Sequence, residues 1–161
     1  MDQLTRSAER GMLVSGEQVA ALRAFLALDP DQAGRLTEQL VESGRVEGYG
    51  ELVYAAFVSA VRRRFSPTWT VADVIRFVAA KRAELLEDGA EVDPLTAEIL
   101  VRRALGGGIA TELDEKSRAR AQILLLGEIV ADAGFDDAGL DDFLAQVRSL
   151  ADQMTLGDLP G

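Results

Sequence analysis

The sequence predicts an all-α protein: a single globular bundle of about seven helices joined by short loops, with no significant β-sheet. Two observations favour helices, namely apolar residues recurring at spacings of three and four and regularly spaced residues that start and stop helices. A third is that alternating β-branched runs and Asn-Gly hairpin turns are absent. A chain of 161 residues is the size of one domain, so we treat residues 1–161 as a single helical domain.

The first two helices are predicted from their starting residues. Ser15 is followed three residues later by Gln18, a capping box that predicts a helix over Gly16–Leu28. Asp29–Pro30 then provides an N-cap and a proline in the first helical position. The second helix ends at Ser43–Gly44, because glycine readily adopts the left-handed conformation at a helix end. We expect this helix to turn three apolar side chains inward: Leu36, Leu40 and Val41.

An apolar stripe predicts a third helix, which ends in a basic cluster before Ser66–Pro67. The stripe comprises Leu52, Val53, Ala56, Phe57, Ala60, Val61 and Phe65. Thr70, with Asp73 three residues later, predicts a second capping box and a fourth helix that continues to Asp88–Gly89. The apolar stripe expected on that helix comprises Val71, Val74, Ile75, Val78 and Leu85.

Asp93–Pro94 repeats the Asp-Pro start and predicts a fifth helix that reaches Leu105. Three glycines follow at 106–108, a flexible stretch that is a candidate hinge. We expect a C-terminal helical pair beyond it, within residues 109–155.

The C-terminal pair begins with a helix over Asp114–Ala133, which is apolar nearly all round in its second half and ends at Gly134. Asp136 caps the last helix, whose apolar seam resembles two heptads. This pattern is typical of helices that pack against a partner, and the alternative is packing within the bundle. The candidate partner-binding residues on the seam are Leu140, Phe143, Leu144 and Val147.

The composition removes several classes of chemistry. There is no Cys and no His, which excludes thiolate nucleophiles and the commonest general base and metal ligand. We therefore expect a non-catalytic protein and assign no catalytic residue, metal ligand or cofactor. The chain has no long apolar stretch and no secretory signal at its start, so we expect a cytoplasmic protein without membrane contact.

Charge is unevenly distributed along this acidic chain, whose net charge is -10. Arg62, Arg63 and Arg64 form the basic cluster, which we place among the candidate partner contacts. The alternative is that these cations stabilise the end of their helix. Tyr49, between Gly48 and Gly50, is predicted to lie in a turn and to offer an exposed contact.

The leading functional interpretation is a helical protein-interaction module, an adaptor or regulator that self-associates as a homo-oligomer through its C-terminal helices or binds another protein. One alternative is a nucleic-acid-binding regulator that uses the basic segment 62–82. Another is a Mg²⁺-dependent hydrolase of phosphorylated small molecules, with carboxylates one helical turn apart. Three sets have that spacing: Glu38 with Glu42, Glu84 with Glu87 and Asp88, and Asp137 with Asp141.

Overall fold

The computed structural model describes residues 15–107 and 111–155 and confirms the all-α prediction. The seven α-helices of the described chain are α1 (Gly16–Leu26), α2 (Pro30–Glu42), α3 (Tyr49–Arg64), α4 (Val71–Glu84), α5 (Pro94–Ala104), α6 (Glu115–Ala133) and α7 (Asp137–Thr155). A short 3₁₀ helix (Leu86–Glu91) follows α4. No strand occurs in either described range. None of the described helices combines the length and apolar character needed to cross a bilayer.

Side-chain oxygens start the helices, as the sequence predicts. The Ser15 Oγ accepts a hydrogen bond from the Gln18 N–H at 3.2 Å, and the Gln18 Oε1 accepts one from the Ser15 N–H at 3.3 Å. Thr70 and Asp73 form the second capping box in the same way, with distances of 3.2 and 2.9 Å. The remaining caps are carboxylates, which accept a main-chain N–H three residues on: Asp29, Asp93, Asp114 and Asp136.

The ends of two helices depend on left-handed glycines at the predicted positions, with φ of 70° at Gly44 and 63° at Gly134. The predicted end of α1 at Leu28 is wrong, because α1 stops at Leu26. The Asp29 N–H donates to the Ala24 carbonyl at 3.0 Å and closes the helix there. Leu28 consequently takes the left-handed position with φ of 60°.

The helices form two packed units, each with its own contacts. The first unit comprises residues 15–56 and 135–155, and in it α1 packs against α2 and α7. The second unit is Phe57–Gly134, where α4 packs against α5 and the 3₁₀ helix, and α5 packs against α6. The single domain and the hinge at 106–108 stay predictions, and Gly108 lies outside the described residues.

Burial differs from prediction at two valines and one isoleucine. Val41 is 60% exposed, and Val71 and Ile75 of α4 are 44% and 49% exposed, although all three were expected inside. The buried stripe of α4 comprises Val74, Phe77, Val78 and Lys81. This stripe follows helical spacing, but it includes Phe77 and Lys81 where the prediction had Val71 and Ile75.

Gln18 links α1 to the loop between α2 and α3. Its side chain is buried, and its Nε2 donates to the carbonyls of Arg45 and Glu47, both at 2.7 Å. We expect Gln18→Ala to lower the free energy of unfolding by about 2 kcal/mol, because it removes a cap and leaves two carbonyls without donors. Urea unfolding followed by circular dichroism measures this loss.

Gln18→Glu separates the two roles of this side chain, since it keeps an acceptor for the cap but loses the amide donors. We expect it to be destabilised as well. Gln39→Ala, on the exposed side of α2, is the matched control and should change the stability little. Wild-type stability of Gln18→Glu would show that the two carbonyl contacts contribute nothing.

Candidate functional site

An open groove of about 510 Å³ runs beside α4 in the second unit. We call it the α4 groove, and its lining residues are Arg64, Phe65, Ser66, Trp69, Asp73, Arg76, Phe77, Ala80, Lys81 and Glu84. Phe65 and Phe77 meet edge to face, with ring centroids 5.0 Å apart. Trp69, half-buried, adds a third ring. The volume lies in the range of small-molecule sites, and the lining combines these three aromatic rings with six polar or charged side chains.

Arg64 is the cation at the aromatic end of the groove. Its guanidinium carbon lies 5.9 Å from the Phe65 ring centroid and 5.6 Å from that of Phe77, within cation–π distance. No carboxylate of residues 15–107 or 111–155 forms an ion pair with it. Its positive charge is therefore not compensated by a neighbouring acid.

The other two cations of the groove are paired. The Arg76 Nη2 lies 2.6 Å from the Asp73 Oδ1. The Lys81 Nζ lies 2.9 Å from the Glu84 Oε2 and also contacts the Asp132 Oδ2. Among the residues that line the α4 groove, Arg64 is therefore the cation that forms no ion pair with a described carboxylate.

Lys81 is the centre of an ion cluster between α4 and α6. It is only 5% exposed, and carboxylate oxygens of Glu84, Glu128 and Asp132 all lie within 4.8 Å of one another. Burial raises the pKa of Glu128; the Lys81 ammonium opposes this shift, while Glu84 and Asp132 add to it. Burial lowers the pKa of Lys81, but hydrogen bonds to Asp132 and Glu84 outweigh this effect and raise it above its ordinary value.

The cluster corrects one carboxylate set expected from spacing. Glu84 is gathered with Glu128 and Asp132 rather than with Glu87 and Asp88. The ammonium of Lys81 already neutralises part of this negative charge. The sequence gives no signal for the set, because α4 and α6 are far apart along the chain.

The structure gives Arg62 and Arg63 different surroundings. The Arg62 Nε donates to the Ala104 carbonyl at 2.8 Å, so it closes the end of α5. Arg63 lines a smaller concavity of about 220 Å³ together with Arg64 and Ile129.

Tyr49 does not lie in a turn as predicted, because it is the first residue of α3 and is half-buried. Burial raises the pKa of its phenol.

The apolar seam of α7 is covered by this chain. Its four candidate residues are buried in the first unit: Leu140, Phe143, Leu144 and Val147. Phe143 stacks on Phe135 with centroids 5.3 Å apart, and Asp141 pairs with Arg23 of α1 at 2.8 Å. This is the packing that the intramolecular alternative expects, and a role for the seam in binding a partner stays a prediction.

Several of the six basic side chains in segment 62–82 contact other groups of the fold. Besides Arg62 and Lys81, Arg82 donates from its Nε to the carbonyls of Val92 at 2.8 Å and Gly89 at 3.3 Å. Arg63, Arg64 and Arg76 are exposed, and so is Arg62. Fewer cations are therefore available to contact phosphates than the sequence implied.

A second surface feature, missed by the sequence, is the outward side of α4. Its exposed residues are apolar, and we call them the α4 outer face: Val71, Ala72, Ile75, Ala79 and Ala83. They follow helical spacing along about 18 Å of helix. Single exposed apolar residues are common on proteins, whereas a continuous row marks a candidate contact surface.

The α4 groove and the α4 outer face are the two surfaces on which a function can be based. Each lies within the second unit and is built from residues close together along the chain. Comparison with protein families, with curated proteins and with solved structures gave no match to this chain.

Proposed function

We propose that this protein is a non-catalytic helical interaction module that binds another protein through the α4 outer face. The observation that carries the proposal is the exposure of Val71 and Ile75, at 44% and 49%, on a helix whose buried residues lie on its other side. Burying such side chains in an interface is favourable by about 25 cal/mol per Å² of apolar surface. The three alanines of the face allow a second helix to approach closely.

The charge of α4 indicates the chemistry of the partner. Of the three basic residues of α4, Lys81 is buried in an ion cluster and Arg82 donates to main-chain carbonyls, which leaves Arg76 as the cation that this helix exposes. Arg76 borders the outer face and its side chain is 72% exposed. An amphipathic helix with an apolar stripe and an acidic flank therefore complements this surface.

A different protein fits this surface better than a second copy does. Two copies with ten net negative charges each repel one another. In addition, the α7 seam, the predicted surface for self-association, is buried within its own chain.

The test compares two charge-introducing variants of exposed apolar residues in the second unit. We expect Ile75→Glu to abolish stoichiometric capture of the partner from native lysate, because a carboxylate is placed in the apolar contact and faces an acidic flank. Leu95→Glu, at a position 65% exposed on α5, is the matched control and should retain the partner. Reduced amide hydrogen exchange in α4 of the purified complex would locate the contact.

Three results would contradict the proposal. One is equal capture by Ile75→Glu and Leu95→Glu. Another is a homo-oligomer, seen by light scattering, that Ile75→Glu dissociates, which would identify a second copy as the occupant. The third is capture that nuclease treatment removes, which would favour the nucleic-acid alternative.

A further inference from the structure

We propose that the α4 groove binds a small planar aryl carboxylate, with its ring against Trp69 and Phe65 and its carboxylate on Arg64. This site differs from the α4 outer face and does not depend on the proposed protein partner. The inference rests on the aromatic side chains of the groove, on its cation without an ion pair and on its unused hydrogen-bond donors.

Two rings at the aromatic end of the groove, Phe65 and Trp69, are only partly buried. Trp69 is half-buried, and together with Phe65 it lines both the α4 groove and a second concavity of about 270 Å³ that reaches Leu105. The residues described here provide no hydrogen-bond partner for the indole N–H of Trp69. A flat aromatic ligand can stack on such rings, and an acceptor on it can receive this N–H.

The ion pairs of the groove leave one cation for a ligand. Asp73 pairs with Arg76, and Glu84 and Asp132 both pair with Lys81. Arg64 is left with a full positive charge. A doubly charged group such as a phosphate monoester would bring its second charge towards the carboxylates of Asp73 and Glu84, which line the same groove.

Arg64 also favours a planar anion. Its side chain forms no hydrogen bond to residues in the described ranges, while Phe65 and Phe77 hold its guanidinium at cation–π distance. A guanidinium has five N–H donors in one plane, which match the two oxygens of a carboxylate. The aromatic walls and this cation together indicate an aryl carboxylate.

The chain provides its own reporter for a test, because Trp69 is its single tryptophan. Titration of the ¹⁵N-labelled protein with 2-naphthoate is followed by the indole N–H resonance. We expect a saturable shift, and we expect the neutral isostere 2-naphthamide to bind at least roughly tenfold more weakly, because it lacks the charge that pairs with Arg64.

Two variants assign the effect to Arg64. Arg64→Gln should weaken 2-naphthoate binding at least roughly tenfold, whereas Arg63→Gln, its neighbour outside the groove, should leave it unchanged. Thermal unfolding verifies that both variants are folded. Ile75→Glu should also retain 2-naphthoate binding, so failure of the protein-partner proposal and failure of this one are distinguishable.

The proposal is overturned by any of three results. The first is the absence of a saturable shift of the Trp69 resonance. The second is equal affinity for 2-naphthoate and 2-naphthamide, or equal affinity of Arg64→Gln and wild type, which would reduce the groove to a non-specific apolar surface. The third is equally tight binding of inorganic phosphate, which would remove the requirement for an aromatic ring.

Discussion

Gly89→Ala is expected to lower the free energy of unfolding by about 3 kcal/mol. A Cβ at this position would lie 2.0 Å from the main-chain oxygen of Arg82 and 2.9 Å from its carbonyl carbon. Removal of this steric clash requires movement of the main chain, either in the last turn of α4 or in the 3₁₀ helix. The Arg82 side chain, which donates to the Gly89 and Val92 carbonyls, would lose its geometry as well.

Urea unfolding followed by circular dichroism measures this change. Gly34→Ala is the matched control, because Gly34 lies inside α2 with no atom within 4 Å of the added Cβ. We expect this control to be more stable than wild type by about 0.5–1 kcal/mol, since alanine is the better helix former. Equal stability of Gly89→Ala and wild type would mean that the close approach to Arg82 is absent in solution.

Lys81→Met is expected to lower the free energy of unfolding at pH 7 by about 2 kcal/mol. Methionine preserves the apolar stem but removes the cation that the three carboxylates of Glu84, Glu128 and Asp132 surround. The figure is smaller than for a fully buried pair, because Glu84 and Asp132 are 49% and 48% exposed and water screens them.

The destabilisation caused by Lys81→Met should depend on pH and should be smaller in acid. The raised pKa of Glu128 means that its contribution to stability is present below its unfolded pKa and is lost as the pH rises through its folded pKa. Without Lys81 the remaining carboxylates repel one another most when all are ionised. The destabilisation should therefore be greatest near neutral pH and should shrink as the pH falls towards about 4.

Two further variants make this second prediction specific. Lys116→Met removes the other lysine of the chain, an exposed one in the first turn of α6, and should change stability little. Lys81→Met combined with Glu128→Gln should recover part of the loss, because one of the three negative charges is removed. An equal loss at pH 4 and pH 7 would show that packing, rather than charge, accounts for the effect.

The helix starts could be predicted from the sequence because their chemistry is local. A hydroxyl or carboxylate at Ser15, Thr70 or Asp93 caps an N–H only three residues away, so the pattern is visible in the chain itself. Gly44 and Gly134 report helix ends for the same reason. The number and order of helices follow from such signals together with the apolar stripe that predicts α3.

The surfaces of α4 are formed by residues close together along the chain, but they could not be predicted, because packing against other helices decides which side of α4 is buried. Lys81 reads as an exposed cation, yet it is buried by a contact with Asp132, 51 residues away. Helical periodicity likewise gives two adjacent stripes on α4 and does not decide that Ile75 faces outward. The groove needs Phe65 and Phe77 to meet, and only the turn between α3 and α4 brings them together.

The capped helix starts have a consequence for the binding of anions. Backbone N–H groups at the positive end of a helix dipole are a common place for phosphates and carboxylates. In six of the seven described helices, an N–H of the first turn donates a hydrogen bond to the side-chain oxygen of the capping residue, with Ser15 and Asp114 as examples. An anion that approaches one of these helix starts therefore competes with the cap for that N–H, and at the four carboxylate caps it also meets a like charge.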